Sequence, residues 1–174
     1  MKADYKIKEE TIFLPEDVSN KAEELVKLLI EKKETVSTAE SCTGGLIGGA
    51  ITSVSGASEV FEQGFITYAN SAKQKLLGVK SITLKNFGAV SVETCFEMAK
   101  GVCKKAKSNL GIAVTGIAGP GGGTEEKPVG LVYIGIAYKK KVTIFEYNFT
   151  GNREEVRRGT VVSALKHARE VIAE

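Results

Sequence analysis

The chain has 174 residues, 43% hydrophobic and 26% charged, the composition of one folded domain with its own core rather than a disordered chain. Lys+Arg 24 against Asp+Glu 21 leaves a net charge of +3, too little to argue for wrapping nucleic acid by charge alone. No apolar run approaches the roughly 20 residues of a membrane helix, and the N-terminal stretch alternates charged and apolar residues unlike a signal peptide, so we expect no membrane association and a cytoplasmic protein.

Helical spacing of Ala22, Leu25, Val26 and Leu29 predicts a first helix over residues 18–32, with Asp17 or Ser19 as its cap. Residues 35–38 are β-prone. A second helix carries Leu46, Ile47, Ala50, Ile51 and Val54 and stops at Gly56. Residues 64–68 read as a strand, and residues 71–77 as a short helix ended by Gly78. Ser91 reads as the cap of a helix to about residue 105, with Val92, Phe96, Ala99 and Cys103 turned inward. The apolar run 110–115 predicts a strand buried on both faces. Residues 116–130 show no periodicity. Two alternating strands, 131–137 and 142–149, are joined through Tyr138-Lys139-Lys140-Lys141, a lysine-rich turn suited to a sheet edge. A last helix from Arg153 to Val171 buries Val156, Val161, Ala164, Leu165 and Ala168. The alternation of helices and strands predicts an α/β class with a mixed sheet covered by helices. Residues 1–17 form an N-terminal extension to a domain spanning 18–174.

The chemistry has few places to sit. Cys42, Cys95 and Cys103 are odd in number and form no CxxC pair, so neither a disulfide scaffold nor a cysteine metal site is indicated. His167 is the one histidine, placed in the last helix and read as a partly exposed helix residue. We expect no metal and no cofactor. Three glycine-rich stretches each follow a predicted strand. In the first, Ala39 to Gly45, Ser41, Cys42, Thr43 and Gly44 open a helix; they offer backbone N–H groups to an anion or carbonyl oxygen, or Ser41 or Thr43 simply caps that helix. The second, Thr115, Gly116 and the loop through Thr124, reads as a segment folding over a ligand rather than a connector. In the third, Arg153 and Arg157 share a helix face near its start, where cations oppose the dipole unless an anion lies between them; ion pairing with Glu154 or Glu155 is the alternative. With no histidine at hand, a serine nucleophile needs a lysine or tyrosine to accept its proton, and Tyr68 and Lys73 are candidates.

Five segments together resemble the CinA C-terminal domain family, its stand-alone nicotinamide-nucleotide amidases above all: TAESCTGG (38–45), GASEVFEQGFITYANSAKQKLLGV (56–79), FGAVSVET (87–94), VTGIAGPGGGTEEKPVGLVYIG (114–135) and GNREEVRRGT (151–160). The resemblance covers about residues 18–172. It implies a three-layer α/β sandwich with a mixed, mostly parallel sheet. It also implies metal-independent hydrolysis of nicotinamide mononucleotide (NMN) to nicotinate mononucleotide and ammonia. The family's Ser/Tyr/Lys constellation carries over onto Ser58, Tyr68 and Lys73, its Thr-Gly loop onto Thr115 and Gly116, and its phosphate-end arginine onto Arg153, with Arg157 as second candidate. The expected reaction has Ser58 attacking the carboxamide carbon, Lys73 as general base and Tyr68 as relay or oxyanion donor. Backbone N–H groups near Ser41 to Thr43 or Thr115 would hold the oxygen. Ser41 is the rival nucleophile. A different class of function, a nucleotide-binding regulatory module without catalysis, needs the loops and arginines but not Tyr68 and Lys73. A DNA-binding role finds no basic stripe or reading motif. The small-residue face of 44–50 and the edge near Lys139 are candidate surfaces for a symmetric homo-oligomer.

Overall fold

The computed structural model describes residues 16–174; residues 1–15, most of the expected N-terminal extension, lie outside the described part, and the first helix already includes Glu16, so Asp17 and Ser19 stand inside it rather than capping its start. In chain order the elements are α1 (Glu16–Lys32), β1 (Val36–Glu40), α2 (Leu46–Thr52), a 3-10 turn (Ala57–Glu59), β2 (Phe61–Ile66), α3 (Asn70–Leu77), α4 (Ser81–Phe87), α5 (Val92–Ala106), β3 (Leu110–Gly116), β4 (Leu131–Tyr138), β5 (Lys141–Asn148) and α6 (Arg153–Ala173). The sequence pattern does not predict α4 or the 3-10 turn, which are too short to show a period.

The strands form one mixed sheet in the order β2-β1-β3-β4-β5. β1 pairs in parallel with β2 and β3, while β4 runs antiparallel to both β3 and β5, so β4 alone opposes the other strands. The expected three layers are present. Val36, Ile112, Val114, Ile134 and Ile136 face one side, where α1, α2 and α6 bring Leu25, Leu29, Ile51, Val161 and Leu165 onto them. The other face is built of small residues, Ala39, Ala113 and Ala137, under Met98, Ala99 and Val102 of α5. That choice lets α5 come close: a Cβ on Gly111 would stand 2.6 Å from Cys103 Sγ and 3.0 Å from the Ala99 carbonyl.

Two sequence expectations are corrected here. On α5, Val92 and Phe96 are 44% and 43% exposed, and Cys95 and Met98 face the sheet beside Ala99. The alanine- and glycine-lined sheet selects the helix face that fits closest, not the one with the largest side chains. His167 is buried rather than partly exposed: β5 crosses α6 there, and His167 stacks on Phe145 with ring centroids 3.7 Å apart, its Nε2 meeting the Tyr147 hydroxyl at 2.5 Å.

The topology also places the functional end. From β1 the chain turns to β2 on one side, and from β3 it turns to β4 on the other. The carboxyl ends of β1 and β3 therefore flank the crevice where open α/β sheets hold ligands.

Candidate active site

Glu40 ends β1 with its side chain on the α2 side of the sheet. It is 1% exposed, and its carboxylate is fully occupied. Oε2 accepts from Thr43 Oγ1 at 2.6 Å, Gly45 N at 3.0 Å and Ile47 N at 3.0 Å, and Oε1 accepts from Gly48 N at 2.8 Å. A carboxylate at a helix N-terminus is stabilised by the unpaired N–H groups and the dipole. The first glycine-rich stretch thus differs from both sequence readings: the chain's own Glu40 fills the start of α2, and neither Ser41 nor Thr43 caps it. What remains free lies one turn earlier. Ser41 N donates to Val114 O at 3.1 Å and Gly44 N to Ser41 O at 3.2 Å, whereas the N–H groups of Cys42 and Thr43 have no acceptor among the described residues.

Lys73 lies in the first turn of α3, 1% exposed, and its stem carries the ammonium under the loop that follows β1. Nζ donates to Thr67 O at 2.7 Å, to Tyr68 O at 3.3 Å and to Ser41 Oγ at 3.0 Å. All three acceptors are neutral. Burial without a carboxylate partner disfavours the charged form, and the Lys73 pKa falls from 10.5 to about 8. The adjacent Cys42 thiol is moved the other way: burial pushes it up to about 11, so it stays protonated.

Ser58 is elsewhere. It sits exposed in the 3-10 turn before β2, while Lys73 reaches the loop after β2. The six residues of β2 hold these positions about 20 Å apart. The expected Ser58–Lys73 pair does not form, and Ser41 occupies the place at Lys73. Tyr68 meets Lys73 through its backbone carbonyl only; its side chain is 64% exposed, and its hydroxyl has no partner among the described residues.

The arginines of α6 reach both glycine-rich loops. Arg157 donates from Nε to Cys42 O at 3.1 Å and from Nη2 to Thr43 O at 2.9 Å. Holding the Cys42 carbonyl aims the Thr43 N–H of the same trans peptide away from the guanidinium. Arg153 Nη1 donates to Gly119 O at 2.8 Å. Neither arginine pairs with Glu154 or Glu155; Glu155 instead closes a capping box with Asn152. Leu46, Pro120, Val129, Arg153 and Arg157 line a cavity of about 640 Å³ beside the Ser41 loop. Thr115 is buried and ties Ala89 O at 2.7 Å, and Gly116 leaves room for Val132, whose Cγ2 would stand 2.6 Å from a Cβ there. Lys127 Nζ pins the long loop to Phe87 O at 2.6 Å and Val90 O at 2.8 Å.

Sequence reasoning gave no role to Glu40 or Lys127. The signal for Glu40 was available, a carboxylate directly ahead of a glycine-rich helix start. For Lys127 there was none, because its partners are distant backbone carbonyls. Among the described residues no three of His, Cys, Asp or Glu gather to hold a metal ion.

The profile of the CinA C-terminal domain matches residues 18–172. A CinA-like protein of Endomicrobium trichonymphae is 58% identical over 139 residues, covering 80% of this chain and 32% of its own. A Clostridium perfringens (strain SM101 / Type A) protein described as competence-damage inducible is 55% identical over 144 residues, covering 82% and 35%. The chain thus spans about a third of the length of these curated relatives. Among solved structures, the competence/damage inducible protein CihA of Agrobacterium tumefaciens is 42% identical with a TM-score of 0.91, covering 94% of this chain and 100% of that one. A CinA superfamily protein of Escherichia coli is 31% identical with a TM-score of 0.85, covering 95% and 96%. Sequence profile, relatives and fold agree, and the chain belongs to the CinA C-terminal domain family.

Proposed function

We propose that the protein is an amidohydrolase that releases ammonia from nicotinamide mononucleotide, with Ser41 as nucleophile and Lys73 as its base. The observation that carries this reading is the buried contact of 3.0 Å between Lys73 Nζ and Ser41 Oγ, with no carboxylate bonded to that amine among the described residues. A lysine of pKa about 8 is neutral often enough near neutral pH to accept a proton.

In the proposed reaction Ser41 Oγ bonds to the carboxamide carbon as its proton passes to Lys73 Nζ. The carbonyl oxygen takes up the electron pair, and the free N–H groups of Cys42 and Thr43 stabilise it. Collapse breaks the C–N bond as Lys73 returns the proton to the departing nitrogen, giving ammonia and an acyl-Ser41. Water, deprotonated by Lys73, then releases nicotinate mononucleotide and regenerates Ser41. Arg153 stands in the adjoining cavity with N–H groups left over from Gly119 O and serves the phosphate. Arg157 is engaged with two carbonyls and acts on the oxyanion site instead.

The test is ammonia release from NMN, nicotinamide, nicotinamide riboside and NAD by the full chain and by Ser41→Ala. Turnover of NMN that Ser41→Ala abolishes is expected. Binding of NMN with no ammonia from the unmodified protein returns the reading to a nucleotide-binding module, and preference for free nicotinamide removes the role given to Arg153.

A further inference from the structure

A concavity of about 650 Å³ lies at the opposite end of the sheet, bounded by α5 and the β4–β5 hairpin. Lys100 and Lys104 line it from α5, and Lys139, Lys140 and Lys141 from the hairpin. All five are exposed, and none enters an ion pair among the described residues. Topology gathers further charge here, because the turns after α1, after α5 and after β4 all open at this end. Lys33, Lys107, Lys139 and Lys140 hold these turns in left-handed backbone, with φ of 54°, 57°, 46° and 66°. A side chain in that region costs about 1 kcal/mol or more, and Gly or Asn would relieve it.

Two other features of the concavity point past a bare anion. Phe96 stands in its wall, 43% exposed, an aromatic face that no residue of α5's core side requires. Among the described residues Glu34 is the one carboxylate of the lining. Its Oε1 accepts from Tyr138 Oη at 2.8 Å, while its Oε2 is buried with no partner among the described residues. A buried carboxylate oxygen without a donor is costly, and a ligand hydroxyl would satisfy it.

We propose that this end binds a ribonucleoside di- or triphosphate, its phosphates on the lysines, its base against Phe96 and a ribose hydroxyl on Glu34. Five cations from two elements facing one cavity suit a compact polyanion, and the cavity has the volume of small-molecule sites. The lysines that line it are exposed and unpaired among the described residues, so their stems are free to adjust to the ligand. This site stands apart from Ser41 and does not depend on the amidase reading.

Calorimetric titration of the full chain with ADP, 2′,3′-dideoxy-ADP, inorganic pyrophosphate and a DNA duplex tests it. Saturable ADP binding is expected, weakening with salt and losing about tenfold in affinity in Lys100→Ala/Lys104→Ala, whose surface positions leave the fold and ammonia release unchanged. Phe96→Ala is expected to weaken ADP but not pyrophosphate, and the dideoxy analogue to bind more weakly than ADP. The proposal is overturned by absence of saturable ADP binding, by affinity indifferent to the lysine pair, by dideoxy-ADP binding as tightly as ADP, or by duplex DNA outcompeting ADP through the same lysines.

Discussion

At the carboxyl ends of β1 and β3, Lys73, Lys127, Arg153 and Arg157 donate to backbone carbonyls and to one serine hydroxyl. At the opposite end, Lys100, Lys104 and Lys139 to Lys141 stand exposed around an open concavity, paired with no carboxylate among the described residues. Positive charge is abundant at both ends, and its surroundings decide its use. Arginine keeps its proton in any protein environment, so Arg153 and Arg157 become struts that fix loop peptides. A lysine buried among neutral acceptors loses affinity for its proton, which fits the proposed role of Lys73 as a base. Lysines in water keep both charge and mobility, and they attract anions at a distance that salt sets.

The sharpest way to break this comparison is at the hydroxyl that Lys73 touches. Ser41→Ala is expected to lower ammonia release from NMN by about a thousandfold or more, the usual loss when a nucleophile is removed. Ser58→Ala, about 20 Å away along β2, is expected to stay within about twofold of the unmodified protein. A large effect at Ser58 and none at Ser41 reverses the assignment.

Next in size is the titration of Lys73. Its folded pKa of about 8 lies below the 10.5 of an unfolded lysine, so between those values the unfolded chain binds more protons than the folded one. Stability contributed by this group is therefore lowest below pH 8, rises from 8 to 10.5, and levels off above. Relative to Lys73→Met, the unmodified protein is expected to gain on the order of 3 kcal/mol across that window, read from denaturant melts at several pH values. The activity limb runs the same way: turnover rises as pH approaches and passes about 8, because the attacking step needs the neutral amine. A flat profile over that range removes Lys73 as the base.

Arg157 follows. If its guanidinium orients the Thr43 N–H, Arg157→Ala lowers kcat by about 10- to 100-fold with little change in KM. If Arg153 serves the phosphate, Arg153→Ala is expected to raise KM instead. An exchange of those two signatures would exchange the two roles.

How far the sequence carried differs between these ends. The alternation of helices and strands, the Ser91 cap, the buried run of β3 and the lysine turn were legible because each is a local pattern, of period or of capping chemistry, whereas the three layers came from the family resemblance. Lys73 was legible as a candidate, but its partner was not: Ser41 and Ser58 both lie in short segments with glycine nearby, and only the pairing of β1 with β2 decides which end of the sheet each occupies. Glu40 stood in plain view and received no role, since its four donors come from a turn that closes around it. At the other end the hairpin lysines were legible but the concavity was not, for a topological reason: Lys100 and Lys104 come from α5 and Lys139 to Lys141 from the β4–β5 hairpin, far apart in the chain, so no single stripe exists in the sequence.

The smallest effect expected has the opposite sign and belongs to that end. Tyr138 and Lys141 close a two-residue hairpin whose central lysines both have positive φ, the turn for which Asn-Gly is the preferred pair. Replacing Lys139→Asn and Lys140→Gly together is expected to raise stability by about 1 kcal/mol, seen as a higher Tm, because strain is relieved and no buried contact is lost. The one contact given up is the exposed approach of Lys139 Nζ to the Tyr138 ring at 4.7 Å, a small contribution in water. Ammonia release should not change, because the hairpin is at the far end of the sheet from Ser41. If the same variant binds ADP more weakly while melting higher, the strain is a cost of placing charge where a ligand needs it. A variant that melts lower shows instead that the lysine stems support the hairpin by packing, and the two ends of the sheet then differ less than their hydrogen bonds suggest.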